Sequence, residues 1–98
     1  MEITYRDRSI ARVCTDYSEA LRHYGAVMAL KIHQRVNEIA AAPNVETMVE
    51  HRIGRCHPLK GNRKNQFAVD LVHPYRLVFQ KVGNVIQIAN IIEIVDYH

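Results

Sequence analysis

A chain of 98 residues with a hydrophobic fraction of 48% has the length of one domain with a single modest core, and it is too apolar to be disordered. With 13 Lys+Arg against 10 Asp+Glu the formal net charge is +3, which permits a nucleic-acid partner without demanding one. Two distant cysteines, Cys14 and Cys56, do not make a disulfide-dense secreted scaffold, and no stretch approaches the ~20 apolar residues of a membrane span.

The opening Met-Glu-Ile-Thr-Tyr-Arg carries no apolar signal core, so the expected setting is the cytoplasm, with no membrane partner and with both thiols free. A Cys14–Cys56 disulfide is the weaker alternative. Residues 2–6 alternate, with Ile3 and Tyr5 on one side, and predict a first strand. Asp7 is placed to cap a short helix over 8–15, where Ile10, Val13 and Cys14 recur at helical spacing. Asp16 or Ser18 can cap the next helix. Leu21, Tyr24, Met28, Ile32, Val36 and Ile39 then form one apolar stripe, predicting a long helix over about 18–41 that Pro43 ends. Gly25 weakens its first turns. Asn44 caps one further helical turn over 45–50.

After Gly54 the period changes from helix to strand. Phe67, Val69 and Leu71 alternate with polar neighbours over 66–72, and Tyr75, Leu77 and Phe79 do the same after a His73-Pro74 turn. Gly83-Asn84 is hairpin chemistry, followed by a long strand in which Ile86, Ile88, Ile92 and Ile94 are expected to share one face. The order β-α-α-(turn)-β-β-β predicts a single α+β domain over 1–98, with two N-terminal helices on one face of a mainly antiparallel sheet. The opposite face carries Arg76 and is expected to stay open to a partner.

The stretch Cys56-His57-Pro58-Leu59-Lys60-Gly61-Asn62-Arg63-Lys64-Asn65-Gln66 reads as a basic loop between strands. Lys60, Arg63 and Lys64 can neutralise phosphates, and His57 is titratable near neutral pH. Taken alone, a solvated basic turn explains it at least as well. Arg76 can stabilise the added negative charge of a pentavalent phosphorane, or pair as a surface arginine with Asp70 or Glu93 on neighbouring strands. The tail Asp96-Tyr97-His98 follows an apolar strand, so it is tethered; it offers an acid, an aromatic and a second imidazole, while an idle terminus is the bland alternative. No C-x-x-C or H-x-x-x-H spacing occurs, so no metal site is predicted. His23, His33 and His51 have no partner pattern. Cys56 and His57, as neighbours on a strand, face opposite sides and do not make a nucleophile–base pair.

Taken together, residues 56–66, His73-Pro74-Tyr75-Arg76-Leu77-Val78-Phe79 and Glu93-Ile94-Val95-Asp96-Tyr97-His98 resemble the RelE superfamily of bacterial toxins, in its HigB-like plasmid-maintenance killer group. The resemblance covers about 55–98; the N-terminal half agrees mainly in element order. It implies a toxin of a type II toxin–antitoxin system that enters the A site of the 70S ribosome and cleaves bound mRNA. Cleavage would use the RNA's own 2′-hydroxyl, with no cofactor. By the same resemblance His57, Asp96 and His98 match acid/base candidates, Tyr97 the C-terminal aromatic, and Lys60, Arg63 and Arg76 the phosphate-binding cations. A HigA-like helix-turn-helix antitoxin is the implied partner. Asn62 and Asn65 depart from the acidic residue and the glycine common at those positions, and the segment between Phe79 and Ile92 is a plain hairpin. A ParE-like inhibitor of DNA gyrase on the same scaffold, or an inactive RNA-binding module, are the alternatives. The nuclease reading makes a spatial prediction: His57, Lys60, Arg63, Arg76 and His98 should line one concave surface.

Overall fold

The computed structural model describes residues 1–97; His98 lies outside them. The chain runs β1 (Glu2–Tyr5), α1 (Arg8–Thr15), α2 (Tyr17–Tyr24), α3 (Ala26–Ala41), α4 (Val45–Glu50), a 3₁₀ turn (Ile53–Arg55), β2 (His57–Pro58), β3 (Gln66–Asp70), β4 (Tyr75–Val82) and β5 (Ile88–Asp96). The five strands form one sheet in the order β1-β5-β4-β3-β2, antiparallel except for the β1/β5 pair. The expected α+β class is therefore the observed one.

Local chemistry accounts for the helix starts. Asp7 accepts from the Ile10 amide at 2.9 Å, Asp16 from Ser18 at 2.9 Å, and Asn44 from Thr47 at 2.7 Å, each satisfying a donor that a helix start leaves unpaired. The expected long helix over about 18–41 is two helices. Gly25 has φ 83° and ψ 171°, a conformation open essentially to glycine alone, and the chain folds back there. The reversal brings the Tyr17 ring edge-on to His33 at 5.8 Å between centroids. Leu21, expected in the core stripe, is consequently exposed, and the buried face of α3 starts at Met28 and continues through Ala29, Ile32, Val36 and Ile39.

That face meets Val69, Leu71, Leu77, Phe79, Ala89 and Ile91 of the sheet in one core. Removing such apolar surface from water is the main stabilising term. In β5 the expected Ile86/Ile88/Ile92/Ile94 face is not the observed one. Ile86 precedes the strand and is exposed, and the core residues are Ala89, Ile91 and Ile94. The cause is a bulge: Val78 pairs with Glu93 but Phe79 pairs with Ile91, so Ile92 is an extra residue. An extra residue reverses the alternation beyond it. It returns Ile94 to the core and turns Glu93 to the opposite face, where the candidate site lies. The hairpin before β5 is also longer than a two-residue turn, with Gln87 buried beneath it. The Gln87 amide accepts from the Val45 amide at 2.8 Å and donates to Glu46 at 2.6 Å, tying the hairpin to the start of α4.

Candidate functional site

The sheet face away from the helices is read from the register. One row across it is His57 (β2), Ala68 (β3), Val78 (β4) and Glu93 (β5); the next is Asp70, Arg76 and Val95. Ala68 and Val78 are fully buried although they lie outside the main core, and they form a small apolar floor for this face.

Arg76 stands on that face, as its alternation with Tyr75, Leu77 and Phe79 requires. Its guanidinium carbon lies 4.7 Å from the centre of the Tyr97 ring, within cation–π range, and its Nε is 3.6 Å from Asp70 Oδ1. The Tyr97 amide donates to the Pro74 carbonyl at 3.0 Å, so backbone and ring both tether the tail beside Arg76. Asp96, the last residue of β5, pairs in register with Tyr75.

His57 leaves the core as Cys56 enters it: Cys56 is buried, and His57 lines an open cleft of about 500 Å³ with Arg52, Arg55 and Arg76. The His57 Nδ1 lies 2.9 Å from the Arg55 carbonyl oxygen. A carbonyl only accepts, so Nδ1 carries the hydrogen, and in the neutral ring Nε2 keeps its lone pair. A smaller hollow of about 240 Å³ shares Arg55 and Arg76 with the cleft and continues to Asp70, His73 and Tyr75.

Arg63 is committed within the protein. Its Nε donates to Gln66 at 2.6 Å and its other arm is paired with Glu93, which holds the guanidinium more firmly protonated. Lys60 and Lys64 are exposed in the β2–β3 loop, make no ion pair among the described residues, and do not line the cleft. The structure thus brings His57, Arg76 and Tyr97 together through the cleft and the ring contact. It sets Arg63 on the same face against Glu93 and leaves Lys60 and Lys64 at the loop. His98 lies outside the described residues. Among the described residues no three His, Cys, Asp or Glu side chains are grouped to hold a metal. Both cysteines are free and buried, and burial pushes each thiol up to about 12.

Arg52 and Arg55 were not singled out by sequence reasoning. They belong to a turn in which Arg52, Gly54 and Arg55 have φ 53°, 59° and 57°, all left-handed. Arg35, reaching from α3, sits against Gly54, where a Cβ would come within 2.8 Å of its Nε, and donates to the Asp70 carbonyl at 2.6 Å. Gly54, between the two arginines, was the one available signal, and periodicity does not read it.

Comparison with known proteins is consistent with this architecture. No family of sequences matches the chain, and no curated protein does. Among solved structures it is similar to the YoeB/ParE toxin from Agrobacterium tumefaciens, with a TM-score of 0.59 and 18% identity over 100% of both chains. The chain has the α+β fold of that toxin. No helix among the described residues is long and apolar enough to cross a membrane.

Proposed function

We propose that this chain is the toxin of a type II toxin–antitoxin pair, HigB-like in its site, and that it cleaves mRNA in the ribosomal A site. One observation carries the reading above the others: the Tyr97 end of the chain lies against Arg76, and Arg76 lines the same cleft as His57. An imidazole, a guanidinium and the C-terminal aromatic therefore meet over one open surface.

The proposed chemistry needs no group beyond RNA and protein. His57 Nε2, unprotonated in the neutral tautomer, takes the proton of an RNA 2′-hydroxyl. The 2′-oxygen attacks the adjacent phosphorus, the P–O5′ bond breaks, and a 2′,3′-cyclic phosphate and a 5′-hydroxyl end result. Asp96 and His98 are the candidate acids that protonate the departing 5′-oxygen. Arg76 stabilises the charge gathered on the phosphorane, and Tyr97 holds that guanidinium in place. Lys60 and Lys64 are the proposed contacts to flanking phosphates, and Arg63, paired with Glu93, holds their loop against the sheet. The ribosome aligns the 2′-hydroxyl with the scissile bond, a contribution worth several kcal/mol. The proposed partner is a HigA-like helix-turn-helix antitoxin, and the proposed setting is the cytoplasm.

A ParE-like gyrase inhibitor is the second reading, since the similar structure carries both names. Primer extension on a reporter mRNA after induction separates them. Cleavage within translated codons, lost in His57→Ala, supports the nuclease. Intact message with induced DNA-damage signalling overturns it in favour of gyrase inhibition.

A further inference from the structure

We infer that Arg55, with Arg52 beside it, forms a second phosphate-binding subsite for single-stranded RNA, outside the basic 60–64 loop; the inference rests on the RNA-cleaving reading above and extends the path of its substrate. The first argument is conformational. Arg55 has φ 57°, a region that a side chain with a Cβ disfavours and glycine enters freely. Its side chain is 83% exposed, so packing does not call for an arginine. What shapes the turn is Arg35 lying against Gly54 and bonding the Asp70 carbonyl, neither of which uses the Arg55 head group. Within the described fold the ion pair of that head group is with Asp70, at 3.3 Å, and a pair this exposed contributes little, so an arginine where the backbone favours glycine points to work done by its guanidinium outside the fold.

The second argument is placement. Arg52, Arg55 and Arg76 surround the cleft that His57 lines, and its volume of about 500 Å³ is of the size that takes a small ligand. Among the described residues Asp70 is the one acid lining either hollow. Its two carboxylate oxygens lie 3.3 Å from Arg55 Nε and 3.6 Å from Arg76 Nε. A carboxylate already lies between two guanidinium groups, at ion-pair rather than hydrogen-bond distance, and a phosphate can compete for the same two cations. Among the described residues, three arginines against one carboxylate leave the cleft and its adjoining hollow with a net positive charge. Arg52 makes no ion pair among the described residues, so its charge is available. Arg55 also couples the subsite to the reacting centre, because its carbonyl fixes the His57 tautomer.

The test is fluorescence anisotropy of the full chain with a short single-stranded RNA carrying 2′-O-methyl groups, which cannot be cleaved by 2′-hydroxyl attack. Binding is measured across a salt series for the wild type, Arg55→Gly and Arg55→Lys. Each phosphate contact to a single strand contributes about 0.7 to the slope of log affinity against log salt. Arg55→Gly is expected to lower the slope by about that amount while the Tm stays equal or rises, since the left-handed residue is relieved. Arg55→Lys should keep the slope and recover only part of the affinity, having the charge without the fork. A residue with a merely structural role would give the opposite signature: lower Tm with an unchanged slope. An unchanged slope in Arg55→Gly overturns the subsite, as does a wild type that does not bind this RNA at low salt. Primer extension, run separately, distinguishes the two levels. Cleavage by the wild type with an unchanged slope in Arg55→Gly removes only the subsite. Arg55-dependent binding without any cleavage removes only the nuclease.

Discussion

Replacing Arg76 by alanine should separate stability from catalysis, because its structural contacts are modest and its proposed chemical role is large. The side chain is 35% exposed, its Nε is 3.6 Å from Asp70 Oδ1, and its guanidinium carbon is 4.7 Å from the Tyr97 ring centre. A partly exposed cation–π contact contributes roughly 0.5–1 kcal/mol and an exposed ion pair roughly 0–1 kcal/mol. Screening by solvent brings the combined loss to about 1 kcal/mol, a fall in Tm of roughly 4–8 °C for a domain of this size. Removing a preorganised group that stabilises charge in the transition state costs about 3 kcal/mol, or roughly 10²–10³ in rate. The assay is single-turnover cleavage on programmed ribosomes at saturating protein, with ribosome binding measured in parallel. Arg76→Ala should keep binding and lose the rate. Arg76→Lys should recover part of the rate, keeping the charge without the planar fork. A saturated rate in Arg76→Ala within about threefold of the wild type would refute the assigned role, since the expected loss is some hundredfold or more. So would a loss confined to binding.

Two further outcomes concern the frame that holds the site. Gln87→Leu strands the buried Val45 amide and should cost about 1–3 kcal/mol in denaturant melts at neutral pH. Glu46 is held below its ordinary value first by the Gln87 hydrogen bond and then by Lys81, so its contribution is present above the unfolded carboxylate value and lost as pH falls; Gln87→Leu should flatten that acid limb. Burial pushes the Cys14 and Cys56 thiols up to about 12, and raises Tyr5 and Tyr24 in the same direction. A raised folded value means stability that is whole below the unfolded thiol value, about 8.5, and lost as pH rises from there. Denaturation midpoints should therefore drop between pH 7 and pH 10, and thiol titration of the native protein at pH 8 should be slow until it unfolds. Equal midpoints would show that the thiols ionise without opening the core.

The parts of this fold that the sequence announces are those set by short-range chemistry. Asp7, Asp16 and Asn44 cap helices because their side chains reach amides two or three residues on. Arg76 lies opposite Leu77 and Phe79 because strand alternation leaves it nowhere else. Gly25 shows where this reasoning stops. As a helix residue a glycine costs about 1 kcal/mol against alanine, which reads as a weak spot. That the chain reverses there depends on α2 and α3 having a surface to pack against, and no window of sequence contains that information.

The Ile92 bulge matters more for the site. Ala89 and Ile91 face the core, and counting on by twos from them would aim Glu93 there too; the one unpaired residue, Ile92, sends it to the opposite face, where it meets Arg63. Of the two acids that alternation offers Arg76, Asp70 is its partner and Glu93 is not. Asp70 is shared between Arg55 and Arg76, and Glu93 goes to Arg63. The three cations of the 56–66 loop are therefore not equivalent. Arg63, bonded to Gln66 and Glu93, joins the loop to β5 and must give up an acid before it can bind a phosphate. Lys60 and Lys64 carry no such debt. The loop's attraction for RNA should come chiefly from the two lysines, while Arg63 fixes where on the sheet they are presented.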